Sequence, residues 1–368
     1  MNCYSYMTQA KSANLVETAT SSPAVPKELH FSSDNGAVDE AIDRLLDIMP
    51  AVGHRDLVRE MLLTALKAGM ESQSRADLKL MNTTLKEMRY TTKVFAPYKG
   101  TRKVTVFGSA RTPPEAPTYR LAVELGRQLA EQGHMVITGG GPGIMQAVNE
   151  GAGPEHSFGV RIRLPFESGA NHVLVDNSRL INYKYFFNRK VAFIKEADAV
   201  VLLPGGFGTL DEAMEVITLI QTGKCPPLPL LLLEPPGSSY WSSKVEFIER
   251  QLLDCGYIDA ADLDLFSMVN SAAGAIEHID RFYRRYHSMR YVDGRLAMRL
   301  REPLSDARIG ALEMDFADLL LPDGHITSSS ALPEEANETH LQDLPRLVID
   351  FNRRDYARLR HLIDAINA

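Results

Sequence analysis

From Lys103 to Leu233, short runs of β-branched and apolar residues alternate with stretches in which apolar residues return every three or four positions. The short runs fall at residues 104–107, 135–138, 159–162, 173–175, 199–203 and 230–233, with helical patterns such as 119–131 between several of them. Strands separated by helices cannot pair through tight hairpins. They join by crossovers, which build a parallel sheet with helices on both faces. Two of the runs, 199–203 and 230–233, are apolar without alternation, as strands buried on both faces must be. The expected fold class is therefore α/β, a Rossmann-like doubly wound parallel sheet. Residues 99–290 are expected to form this region, behind a mobile tail at 1–35 and a helical N-terminal extension at 36–98. A mixed C-terminal extension at 291–368 follows.

The extensions rest on weaker patterns. Residues 1–35 hold Ser21, Ser22, Pro23 and Pro26 among polar residues without periodicity. Ile42, Leu45, Leu46 and Met49, then Leu57, Met61, Leu62 and Leu66, recur at helical spacing. A last strand and helix signal lies at 347–351 and 356–366, and the arginines 353, 354, 358 and 360 there read as a solvated face.

In open sheets of this kind a ligand sits beyond the carboxyl ends of the strands, so the turns following the apolar runs are where chemistry is expected. Three turns qualify. The first, Gly108-Ser109, lets backbone approach a ligand closely and offers a hydroxyl; it also reads as a tight turn with a capping Ser. The second carries Gly139, Gly140, Gly141 and Gly143 ahead of a helix, where backbone N–H groups and the helix dipole suit an anion. It is neither a G-x-G-x-x-G dinucleotide fingerprint nor a Walker loop, since Ile144 or Gln146 occupies the sixth position and no Gly-Lys-Ser/Thr follows. A purely structural glycine turn stays open as an alternative.

The third turn is the most specific. Pro204, Gly205, Gly206, Gly208 and Thr209 precede Asp211 and Glu212 at the opening of a helix. Thr209 is placed to cap that helix and touch a phosphate, and Glu212 to lie in its first turn. A carboxylate beside a phosphate-binding loop weakens anion affinity, so it needs a reason. One reason is catalysis; the other is that acidic residues complement the dipole of a helix start. Upstream, a helix expected over 182–196 carries Phe187, Val191 and Ile194 as its core stripe, with Arg189 pointing away from it. For Arg189 and Lys190 taken alone, a solvated or ion-paired helix face is the default.

At these residues the sequence resembles the LOG (Lonely Guy) family, often labelled lysine decarboxylase-like, whose signature P-G-G-x-G-T-x-x-E follows an Arg-Lys pair on a helix. Pro204 to Glu212 and Arg189-Lys190 carry both elements, and the resemblance covers about residues 100 to 290. It implies a phosphoribohydrolase that releases the base of nucleoside 5′-monophosphates, cytokinin ribotides or AMP-like nucleotides, leaving ribose 5-phosphate. It further implies Arg189 and Glu212 as catalytic residues, with Gly139 to Gly143, Gly205 to Thr209, Gly108, Ser109 and Lys190 holding the substrate. No cofactor or metal is implied. A homo-oligomer is implied, because longer family members assemble.

Two other readings compete. A pyridoxal-phosphate decarboxylase needs a Schiff-base lysine, for which Lys190 or Lys195 would have to serve. A nucleotide sensor or carrier would use the same fold without reaction. Composition narrows the partners. A net charge of -7 with no long Lys/Arg run repels polyanions, which argues against nucleic acid. No stretch approaches the roughly 18 apolar residues of a membrane span, and the polar start does not read as a secretory signal. With Cys3, Cys225 and Cys255 widely spaced and no metal-ligand spacing among the histidines, a cytoplasmic protein is expected.

Overall fold

The computed structural model describes residues 35–49, 51–72, 74–163 and 169–368. The tail expected at 1–35 lies, but for Asn35, outside them. The chain divides into two compact units, one ending at Lys86 and one running from Glu87 to Ala368.

The first unit contains α1 (Ala37–Ile48), α2 (Arg55–Glu71) and the start of α3 (Arg75–Phe95). Ile42, Leu46 and Leu63 form its small apolar centre, with Val52, Val58 and Leu62 against them. Leu45, Met49, Leu57, Met61 and Leu66 are exposed.

The second unit follows the alternation read from the sequence. Its order is β1 (Lys103–Phe107), α4 (Pro117–Glu131), β2 (Met135–Thr138), α5 (Ile144–Ala152), β3 (Ser157–Ile162), β4 (Leu180–Tyr183), α6 (Phe186–Lys195) and β5 (Ala199–Leu202). Then come α7 (Phe207–Gln221), β6 (Leu230–Leu233), α8 (Tyr240–Ile248), β7 (Ser267–Val269) and α9 (Ala272–Phe282). The seven strands form one parallel sheet in the order β4-β3-β2-β1-β5-β6-β7. Every residue of β1, β2, β5 and β6 is buried, which accounts for their unbroken apolar sequence. Strand order reverses between β1 and β5, so a crevice opens at their carboxyl ends.

The C-terminal region adds β8 (Tyr286–Val292), β9 (Arg295–Leu300), α10 (Asp306–Asp315), β10 (Ile326–Ser329), β11 (Arg346–Ile349) and α11 (Tyr356–Asn367). Its four strands make an antiparallel sheet ordered β10-β11-β9-β8. Leu296, Met298, Leu359 and Ile363 share one continuous core with Val104, Val106 and Leu125, so this extension is welded to the parallel-sheet domain.

Three sequence expectations are corrected. Residues 173–175 are not a strand: the N–H groups of Leu174 and Val175 turn back to the Asn171 carbonyl, and Asp176 adopts φ +59°. Strand β4 instead pairs with β3 through Leu180 to Tyr183. The helix expected from Asn182 begins at Phe186, because Asn182 stays in register opposite Arg161. Of the four arginines expected on a solvated face, Arg360 is buried, with its guanidinium 4.5 Å from the Phe282 ring centroid.

Candidate active site

The crevice at the switch between β1 and β5 is a cavity of about 950 Å³. Gly108, Ser109, Gly139, Gly205, Gly206, Gly208, Thr209, Arg189 and Glu212 line it. Gly140, Gly141, Gly143 and Lys190 do not.

Hydrogen bonds between backbones stitch the three turns together. Ser109 N–H donates to the Pro204 carbonyl at 3.1 Å, and Ile144 N–H donates to the Ser109 carbonyl at 3.0 Å. Such close backbone approach leaves no room for side chains at two positions. A Cβ on Gly143, which has φ +65°, would stand 2.4 Å from the Ser109 carbonyl oxygen; one on Gly205 would stand 2.1 Å from Thr209 Oγ1. Gly140 is committed internally as well: its N–H donates to Thr138 Oγ1 at 3.1 Å and its carbonyl accepts from Asn171 N–H at 2.9 Å. Gly140 and Gly143 thus shape the second turn, whereas Gly139 forms the part of it that faces the cavity.

The helix placements differ from the sequence expectation in a way that bears on chemistry. Gly206 is the N-cap of α7 and no side chain caps it, so Thr209 sits inside the first turn rather than capping it. That first turn holds no acidic residue. Glu212 lies one turn further on and belongs to the buried stripe Thr209, Glu212, Ala213, Val216 and Ile220. A carboxylate on the core-facing stripe does not serve to complement a helix dipole, whose influence fades within the first turn. On α6 the buried face is Asn188, Ala192 and Phe193, while Phe187 and Val191 are exposed. Of the stripe assigned from spacing, Phe187 and Val191 therefore face outward, and Ile194 alone packs against the core. Thr105 Oγ1 donates to the Phe193 carbonyl at 3.0 Å and ties α6 to β1, which brings Arg189 to the crevice rather than away from it.

Glu212 is 2 % exposed. Arg189 Nη2 stands 3.5 Å from its Oε1 and Lys190 Nζ 3.8 Å from its Oε2. Both separations exceed ordinary hydrogen-bond lengths. Burial pushes the Glu212 carboxyl up to about 7, against the pull of Lys190 and Arg189. Arg189 is steadied by the rings of Phe186 and Phe193, whose centroids lie 5.0 and 5.4 Å from its Cζ. Lys190 is turned toward Asp211 and Glu215, each 2.8 Å from Nζ. Although partial burial disfavours its charge, those carboxylates hold its ammonium above the ordinary range. A Schiff-base lysine must be able to lose its proton. Lys190 is poorly suited to that role, and Lys195, half exposed against Glu196, lies outside the crevice.

Sequence reasoning missed Arg111, Thr112, Met145, Phe193, Tyr240 and Lys244 in the cavity wall. Tyr240 Oη donates to the Gly205 carbonyl at 2.6 Å, and Lys244 Nζ lies 3.5 Å from the Tyr240 ring centroid. Both stand on α8, which follows the carboxyl end of β6; the rule that selected the other turns would have reached them if applied to that strand.

A family model described as "Possible lysine decarboxylase" matches residues 144–279. The chain is 30% identical over 186 residues to the probable cytokinin riboside 5′-monophosphate phosphoribohydrolase LOGL9 of Oryza sativa subsp. japonica, covering 49% of this chain and 78% of that one. It is 27% identical over 186 residues to the cytokinin riboside 5′-monophosphate phosphoribohydrolase LOG3 of Arabidopsis thaliana, covering 49% and 83%. Among solved structures, the molybdenum cofactor carrier protein of Chlamydomonas reinhardtii matches with a TM-score of 0.35 and 19% identity, over 49% of this chain and 97% of the carrier.

Proposed function

The chain belongs to the LOG family, and on that premise we propose that it hydrolyses the N-glycosidic bond of nucleoside 5′-monophosphates, releasing the free base and ribose 5-phosphate. The observation that carries this reading is Glu212, a carboxylate on the buried stripe of α7 that reaches the wall of a crevice framed by three glycine-containing turns. The turns after β1, β2 and β5 present backbone to the anionic end of the nucleotide. Arg189 and Glu212 then stand at the sugar.

As the base departs, the C1′–N bond pair leaves with it and positive charge develops on the ribose. A carboxylate beside C1′ stabilises that charge. The oxygen of a water molecule bonds to C1′, its proton passes to Glu212, and a proton reaches the departing base, so the net change is one water consumed per bond broken. A carboxyl with a pKa of about 7 exchanges protons readily at neutral pH, which suits it to accept one proton and return one. Arg189, permanently charged, orients Glu212 or the ribose hydroxyls and does not serve as the acid.

In this reading residues 99–290 carry the reaction, the flanking segments are extensions, and the working form is a homo-oligomer. No helix among the described residues is long and apolar enough to cross a membrane.

The test is to incubate the protein with nucleoside monophosphates, nucleosides and triphosphates and to quantify free base and ribose 5-phosphate. Monophosphates should react, and Glu212→Gln should lower turnover by about 100-fold or more while leaving nucleotide affinity much less affected. A folded Glu212→Gln protein that releases base at the parent rate sinks the assignment. Equal reaction of nucleosides removes the phosphate cradle, and tight binding without any base release moves the protein to the carrier class.

A further inference from the structure

A second groove lies at the opposite end of the parallel sheet, where β1, β2 and β5 begin. Its volume is about 470 Å³, and Gly100, Arg102, Gly133, His134, Tyr283 and Arg301 are among the residues that line it. Strand β1 spans five residues, so at 3.3 Å per residue the groove is about 16 Å or more from the crevice.

Two guanidiniums meet there across one tyrosine. Arg102 Cζ lies 4.4 Å from the Tyr283 ring centroid, and Arg301 Nε donates to the Tyr283 carbonyl at 3.0 Å. Neither arginine forms an ion pair among the described residues. Two carboxylates attract Arg102 without pairing with it: Asp198, whose Oδ2 accepts the N–H of Lys103 at 2.8 Å, and Asp280, whose Oδ1 lies 3.7 Å from His134 Nε2. Burial and the charge of Arg301 both lower the proton affinity of Arg102, so the two cations repel. His134 is 7 % exposed, yet its Nε2 has no hydrogen-bond partner among the described residues. A buried ring nitrogen left unpaired calls for an explanation.

Two guanidiniums brought together with no carboxylate in direct contact, on a chain whose net charge is -7, cost free energy that a bound anion would recover. Guanidiniums match the oxygens of phosphate in geometry as well as charge. We propose that this groove is a second anion site, which binds the phosphate group of a small molecule between Arg102, Arg301 and His134. It is separate from the crevice and does not depend on the reaction assigned there.

The test titrates the full chain calorimetrically with inorganic phosphate, pyrophosphate and glycerol 3-phosphate, using the parent, R102Q, R301Q and the charge-preserving R102K. The proposal expects a salt-sensitive binding event, besides any at the crevice, that weakens at least tenfold in R102Q and R301Q and stays within about threefold in R102K. It also expects base release without added anion to be unchanged in these variants. Binding of inorganic phosphate points to free phosphate as the ligand, whereas binding of glycerol 3-phosphate alone points to an ester. Indistinguishable titrations in the parent and both Gln variants, or binding of none of the three anions, would overturn the site.

Discussion

Arg189 Nη2 stands 3.5 Å from Glu212 Oε1, near enough for attraction and too far for a firm hydrogen bond. Glu212 Oε2 has no hydrogen-bond partner among the described residues, with Lys190 Nζ 3.8 Å away. The carboxylate is thus steered by two cations without being clasped by either, and burial outweighs them in setting its pKa of about 7. A bidentate ion pair would have driven the pKa the other way and fixed both oxygens.

The first prediction tests that balance without any assay of turnover. In a carbon-13 NMR titration of labelled glutamate carboxyls, one resonance should titrate near 7 and disappear in Glu212→Gln. Because Arg189 and Lys190 both favour the ionised form, Arg189→Gln and Lys190→Gln should each move that midpoint upward. A downward move, or no glutamate titrating above the ordinary range, would contradict the electrostatics described here.

The second concerns rate. If Glu212 must be ionised to receive a proton from water, kcat/KM should fall on the acidic side with an apparent pKa near 7. The carboxylate is the active form, so the rate rises with pH through that value. Glu212→Gln should flatten the limb as well as lower the rate. Persistence of the limb in the variant would assign it to another group.

The sheet was legible because its signals are local. Residues 199–203 and 230–233 are apolar at every position, and no arrangement but burial on both faces accommodates that. Residues 173–175 carry the same composition, but Asn171 captures the N–H groups of Leu174 and Val175 and turns the chain, a competition that spacing alone does not reveal. On α6 the periodicity was visible and its direction was not. Phe187 and Val191 look like core residues until Asn188, Ala192 and Phe193 are seen to form the buried face instead. The three glycine turns were found from sequence. The bond from Ser109 to Pro204 that joins two of them spans 95 residues, and Tyr240 reaches Gly205 only because α8 returns to the same edge.

Glycines of the third turn give a prediction in which stability and activity part company. Gly205 has no room for a Cβ beside Thr209 Oγ1, so Gly205→Ala should destabilise the fold. Nothing lies within 4 Å of a Cβ on Gly208, which is already helical and has no positive φ. Alanine in a helix interior is favoured over glycine by about 0.5–1 kcal/mol, so Gly208→Ala should melt slightly higher than the parent. If backbone at this turn approaches the nucleotide, the same substitution should nevertheless raise KM. A Gly208→Ala protein that gains stability and keeps both kinetic constants would show that the turn does not touch substrate.

The last prediction lies in the C-terminal sheet. Glu335 accepts from Arg299 Nε at 2.9 Å, from Arg346 Nε at 3.0 Å and from the Leu332 N–H at 3.1 Å, with its own side chain and that of Arg346 wholly buried. Burial alone would raise its pKa. The hydrogen bonds of Arg346, Leu332 and Arg299 outweigh burial and hold the carboxyl down at about 2, against 4.5 ordinarily. With the folded-state value depressed, the stabilisation is complete above 4.5 and is lost as pH falls from there toward 2. Glu335→Gln leaves the wholly buried Arg346 guanidinium without its charge partner, while Arg299 keeps Glu338, and breaking a buried pair in this way costs about 3–5 kcal/mol. The variant should therefore melt well below the parent at neutral pH, and the gap should narrow as both are acidified through that window. Urea unfolding at pH 7 and at pH 3.5 measures it, and an equal loss at both values would mean that packing around Glu335, not its charge, holds the extension in place.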